Sequence, residues 1–117
     1  MQNELQLTFR NMAHSDPLSA HVTARAEKLE HHFDRIVSCH VVLGLEGHHQ
    51  HRGDRFAVSI NLSLPKHEIL VSHTPSSDHE GETAYAAVDR AFGDAERQLE
   101  HWVGQQREVR HADKRRL

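Results

Sequence analysis

The sequence predicts an α+β fold: a β-α-β-β-β-α two-layer sandwich, with a four-stranded sheet and two helices packed on one face. Three observations predict it. Residues 55–64 alternate, with Phe56, Val58, Ile60, Leu62 and Leu64 on one side and Ala57, Ser59, Asn61 and Ser63 on the other, the pattern of a half-buried strand. Residues 17–36 and a segment starting near Glu82 or Thr83 repeat apolar side chains every three or four positions, as amphipathic helices do. The remaining apolar stretches are short and bounded by turn residues, so each helix has one sheet face to cover.

Taken in order, residues 2–9 place Leu5, Leu7 and Phe9 opposite Gln6 and Thr8, a first strand. Ser15 or Asp16 before Pro17 is a helix start, because proline's missing N–H costs nothing in the first turn. The first helix, 17–36, aligns Leu18, Val22, Ala26, Leu29, Phe33 and Ile36 within an arc about 80° wide at about 100° per residue. Residues 38–46 form a second strand, with Val41, Leu43 and Leu45 alternating against His40, Val42 and Gly44, and 47–53 a mobile hairpin loop. After the strand at 55–64, Pro65, Lys66 and His67 turn the chain into a short strand at 68–73 carrying Ile69, Leu70 and Val71. Residues 74–81 are a Ser-, Pro- and Asp-rich loop. The second helix buries Tyr85, Val88, Phe92, Ala95, Leu99 and Trp102 and frays beyond Val103 and Gly104. Gly93 in its middle signals close packing, a contact or mere tolerance, at about 1 kcal/mol relative to alanine. One domain therefore spans residues 1–104, and 105–117 form a basic, flexible tail.

A chain of 117 residues supports a single core. It contains no apolar run long enough to span a membrane and only one cysteine, Cys39, in a strand-like stretch. Cys39 reads as a small core residue and the chain as a cytoplasmic, monomeric protein. The net charge of −3 argues against a general polyanion binder, but the average hides a sorted distribution. Arg107, Arg110, Lys114, Arg115 and Arg116 face only Glu108 and Asp113 in the tail, whereas the rest of the chain holds nine Lys/Arg against fifteen Asp/Glu. Thirteen histidines add cationic charge on mild acidification.

Sorting is clearest on the first helix. His21, Arg25, Lys28, His32 and Arg35 form a stripe beside the apolar face, while Asp16, Glu27, Glu30 and Asp34 collect on the far side. On the second helix Arg90, Arg97 and His101 share a side near the small residues Ala86, Gly93 and Gly104, which would admit a phosphate backbone. Glu82, Asp89, Glu96 and Glu100 lie between that stripe and the apolar face. The competing explanation is an ordinary solvated helix face with ion pairs three or four residues apart.

His48, His49 and His51 in one loop, with His31 and His32 adjoining on the helix, raise a histidine-rich metal-binding alternative. Adjacent loop histidines lack the fixed, converging geometry a metal site needs, so no metal and no cofactor is expected. There is no Gly-x-Ser-x-Gly, no glycine-rich phosphate loop and no nucleophile with an obvious base, so no catalytic residue is assigned.

Several stretches resemble a known family. VTARAEKLEHHF at 22–33 followed by DRI at 34–36 and VVL at 41–43, then AYAAVD at 84–89 and ERQL at 96–99, resemble ribosome hibernation promoting factors and ribosome-associated inhibitors, also called sigma-54 modulation proteins. The resemblance covers about residues 2–104. It implies the same β-α-β-β-β-α fold and a non-enzymatic stress protein of the short form. Such a protein binds the small ribosomal subunit in the mRNA and tRNA channel, through rRNA phosphates, and silences translation. Arg25 and Lys28 match basic positions of the family's first helix, Arg97 the arginine of its second, and Arg35 its Asp-Arg-Ile segment. Arg90, His21, His32, His101 and the tail cations supplement them. The chain departs where related sequences carry further basic residues, having Ser19, Asp94, His101 and Val103 there. Fewer phosphate contacts mean weaker binding and a flatter salt dependence. The alternative this leaves is a family-fold protein-interaction or stress-sensing module that has lost strong rRNA binding.

Overall fold

The computed structural model describes residues 4–49, 53–73 and 82–116; the side chains of 47–49, 53–54 and 108–116 lie outside that description. The elements are β1 (Glu4–Arg10), α1 (Asp16–His32), β2 (Ser38–His49), β3 (Gly53–Leu64), β4 (His67–His73) and α2 (Ala84–Arg116). Strand order in the single sheet is β1-β2-β3-β4, with β1 parallel to β2 and the other neighbours antiparallel. The fold is the α+β arrangement the sequence predicts.

Register explains the core. Val41 pairs with Ile60 and Leu43 with Val58, while Ile60 and Leu62 pair onward with Val71 and Ile69. All of these are buried, because side chains on one face of aligned strands share a side. Over them α1 lays Leu18, Val22, Ala26 and Leu29, and α2 lays Val88, Phe92 and Leu99 among four buried alanines that let it sit close. No polar residue is buried among the described residues. Cys39 belongs to this core, and burial, with the Glu30 charge adding to it, pushes its thiol up to about 12. It is a packing residue rather than a reactive one.

Local chemistry sets the boundaries. Ser15 caps α1: its Oγ accepts from the Leu18 N–H at 3.3 Å, with Pro17 in the first turn. The helix then stops four residues earlier than the apolar spacing predicts. Phe33 leaves helical geometry (φ −130°, ψ 88°) while its N–H still reaches the Leu29 carbonyl. The Ile36 N–H then bonds the Phe33 carbonyl at 3.4 Å, a turn that preserves the three-residue repeat and keeps Ile36 buried. Apolar periodicity thus outlasts the helix, and Asp34 and Arg35 sit in a turn.

Two other boundaries differ. The β2–β3 ladder extends to His49 paired with Gly53, past an irregularity between Leu45 and Gly47, so the predicted loop is mostly strand and only 50–52 lie outside the described residues. At the other hairpin Lys66 takes a positive φ of 61° after Pro65, a two-residue turn between β3 and β4. The second helix does not end near Gly104 but runs on to Arg116. Residues 105–116 contain neither proline nor glycine and are rich in strong helix formers. The 33-residue helix is about 50 Å long. The farthest core contacts described along it are Trp102 and Val103.

Candidate nucleic-acid interface

The two helices lie side by side and run in the same direction. His21 meets Tyr85 edge-on at 5.2 Å, the Arg25 guanidinium lies 5.7 Å from the Phe92 ring, and Arg35 lies 6.0 Å from the Trp102 ring. The first basic stripe therefore points along the seam between the helices. Tyr85, expected in the core, is 41% exposed on this seam, because its place on α2 faces α1 rather than the sheet.

At the upstream end the stripe meets an anion of its own chain. His21 Nε2 lies 2.8 Å from Asp89 Oδ1, and Arg25 Nε lies 3.5 Å from the same oxygen. The Arg25 guanidinium also donates to the Asp89 carbonyl at 3.5 Å. The side chains of His21 and Arg25 are only 30% and 28% exposed. Solvent weakens each ion pair to about 1 kcal/mol or less. Packing over Phe92 nevertheless fixes Arg25 in the seam.

Downstream the situation reverses. Lys28 and His32 border a narrow slot with Leu29, Phe92 and Glu96, are exposed, and make no ion pair among the described residues. Arg35, displaced from α1 by the turn, extends over Trp102 instead of completing a helical stripe. Its neighbour across the seam, Arg107, is exposed on α2, also without an ion pair among the described residues.

The second stripe does not merge with the first. Arg90 Nε lies 2.5 Å from Glu82 Oε2, and Glu82 Oε1 lies 3.1 Å from His73 on β4, so Arg90 is held toward the sheet edge away from α1. Arg97 pairs with Asp94 one turn earlier, and His101 is exposed. Helical spacing puts Asp89, Glu96 and Glu100 in a rank between the two basic stripes. A Cβ placed on Gly93 would meet nothing within 4 Å, and the same holds at Gly104, so neither glycine is required by packing. α2 carries Arg110, Lys114, Arg115 and Arg116, whose side chains lie outside the described residues.

Among the described residues no three His, Cys, Asp or Glu side chains converge as metal ligands. His48 and His49 belong to β2 rather than to a loop, and His51 lies outside the described residues. No described helix is long and apolar enough to cross a membrane. Sequence reasoning did not see Asp89 as a partner for the first stripe, although its place beside the apolar face of α2 was a usable signal.

The family model described as sigma 54 modulation protein / S30EA ribosomal protein matches residues 5–107. The chain belongs to this family. Its fold is similar to a solved structure titled as the N-terminal domain of Protein Y from Thermus thermophilus, with 26% identity, a TM-score of 0.67, and 86% of this chain and 98% of that one covered. A ribosomal subunit interface protein from Coxiella burnetii has 19% identity and a TM-score of 0.70 over the same shares, a likeness of fold alone. No curated protein matches the chain. The family match spans both helices and the seam between them, and it stops at Arg107, before the last turns of α2.

Proposed function

We propose that this family member is a non-enzymatic, cytoplasmic ribosome-binding factor. It acts as a monomer, occupies the mRNA and tRNA channel of the small subunit, and inhibits translation under stress. The observation that carries this reading is the family match across residues 5–107, which includes both cation-bearing helices. The partner chemistry is phosphate of folded RNA, recognised through charge and shape more than base sequence. Lys28, His32, Arg35 and Arg107 are the cations the fold leaves available along the seam. Arg97, which stays 72% exposed in its pair with Asp94, and His101 add to them from the outer side of α2, and Arg110, Lys114, Arg115 and Arg116 carry the basic sequence along its last turns. His21, Arg25 and Arg90 act first as structural residues, because carboxylates already hold them.

Co-sedimentation with vacant ribosomes across a salt series, at neutral and mildly acidic pH, tests the reading. Binding at low salt that weakens steeply as salt rises is the expected result; no binding at either pH at low salt overturns it. A second reading, an interaction module of the same fold without strong rRNA binding, is favoured by the carboxylate partners of Arg25, Arg90 and Arg97. It predicts a ribosome-free protein in the same experiment.

A further inference from the structure

At the downstream end of the seam, where α1 gives way to its turn, the chain forms a cleft of about 330 Å³. That volume is at the lower end of the range for small-ligand pockets. Phe33, Leu99, Trp102 and Val103 supply an apolar wall. Trp102 is held from two sides, stacked on His67 at 5.6 Å with the rings 5° apart and approached by Arg35 at 6.0 Å. The wall is therefore fixed before any ligand arrives. The polar groups of one sign at the cleft are the Arg35 and Arg107 guanidiniums, with the His32 imidazole beside them, against the single carboxylate Asp34.

Upstream on the same seam Asp89 already occupies the cations, whereas neither Arg35 nor Arg107 has an ion pair among the described residues. An aromatic wall with unneutralised guanidinium groups at its mouth matches one ligand chemistry, a flat apolar ring joined to a phosphate. Arginine suits both parts, stacking on a ring face and forking onto phosphate oxygens. Gln106 at the rim offers a donor and an acceptor to a base edge.

We propose that this cleft binds a nucleotide, with its base against Phe33 and Val103 and its phosphate toward Arg35 and Arg107. The nucleotide is either an unstacked residue of RNA, in which case the inference rests on the ribosome-binding reading above, or a free nucleotide, in which case it stands without it.

Trp102 is the only tryptophan in the chain, so its fluorescence reports on the cleft directly. Titration with AMP, excited beyond the absorption of the base, is expected to change the signal saturably with Kd of about 1 mM or tighter. Inorganic phosphate alone leaves the signal unchanged, and adenosine binds more weakly than AMP. Arg107→Glu, a change at an exposed position, weakens AMP by about fivefold or more, and Val103→Glu, which puts a carboxylate at the wall, abolishes the response. The absence of a saturable change up to about 10 mM AMP, or equal responses from the wild type and Arg107→Glu, overturns the proposal. Adenosine binding as tightly as AMP overturns the phosphate assignment. Given AMP binding, loss of ribosome co-sedimentation in saturating AMP identifies the RNA source, and unchanged co-sedimentation identifies a free nucleotide. A protein that binds AMP and never sediments with ribosomes retains the cleft and loses only the ribosomal reading.

Discussion

The upstream and downstream halves of the α1–α2 seam carry the same kind of residue and use it differently. Upstream, His21 and Arg25 converge on Asp89, and Arg25 packs over Phe92. Downstream, Lys28, His32, Arg35 and Arg107 have no such acceptor among the described residues. A stripe continuous in sequence is thus divided in space into side chains that brace two helices and side chains with no ion pair among the described residues. What decides the role of each is the residue across the seam, 64 to 68 positions away for Asp89.

The largest effect that would break this comparison is charge reversal downstream. Lys28→Glu with Arg35→Glu is expected to lower ribosome affinity by roughly ten- to a hundredfold at about 0.1 M salt, measured by co-sedimentation. Thermal unfolding of that double variant should stay close to the parent's, since neither cation holds an ion pair among the described residues and the exposed Arg35 contact with Trp102 is worth only about 0.5–1 kcal/mol.

Asp89→Asn sharpens the comparison from the other side. Losing the acceptor for two part-exposed cations costs about 1 kcal/mol or less in denaturant unfolding, yet it releases Arg25 and His21 and is expected to raise ribosome affinity. Unchanged affinity would show that Arg25 stays committed to the seam through Phe92 alone.

Gly93 lies between the two stripes with open space around it. Gly93→Ala is expected to stabilise the protein by about 1 kcal/mol. If ribosome affinity falls at the same time, the backbone there approaches the partner closely.

The smallest effect concerns the far side of α1. Burial, with Glu27 adding to it, raises the Glu30 carboxyl above its ordinary value of 4.5. One of its oxygens has no hydrogen-bond partner. A raised folded-state value means the protonated form suits the fold better, so this contribution is present below pH 4.5 and is lost as pH rises through the folded value. Glu30→Gln should therefore be more stable than the parent at pH 7, with the difference shrinking as pH falls through the raised folded value and gone below 4.5. A difference that grew on acidification would contradict the assignment.

Most of the fold was legible because burial imposes periodicity. The alternation at 55–64 reads directly as β3, and the helical spacing of Leu18, Val22, Ala26 and Leu29 reads as α1. The same spacing misled at Phe33 and Ile36, where a turn reproduces a three-residue step without a helix. The continuation of α2 was hidden because its last turns, beyond Trp102 and Val103, show no apolar stripe to read, only strong helix formers. Tyr85 fitted the apolar repeat but faces the other helix. The site was legible as a set of cations, not as a division of labour. Asp89 and Glu82 are visible in sequence as acidic residues, and only the packing of two helices and a strand edge reveals which basic side chains each one reaches.

The central claim, that downstream cations bind and upstream cations brace, is tested most directly by the salt dependence of ribosome binding in neutralised variants. For each phosphate contact removed, the slope of log affinity against log salt should fall by about 0.7 to 0.9. Lys28→Gln with Arg35→Gln is predicted to flatten the slope by nearly twice that amount, while Arg25→Gln leaves it unchanged and lowers stability instead. A slope flattened by Arg25→Gln and untouched by the downstream pair would contradict the account.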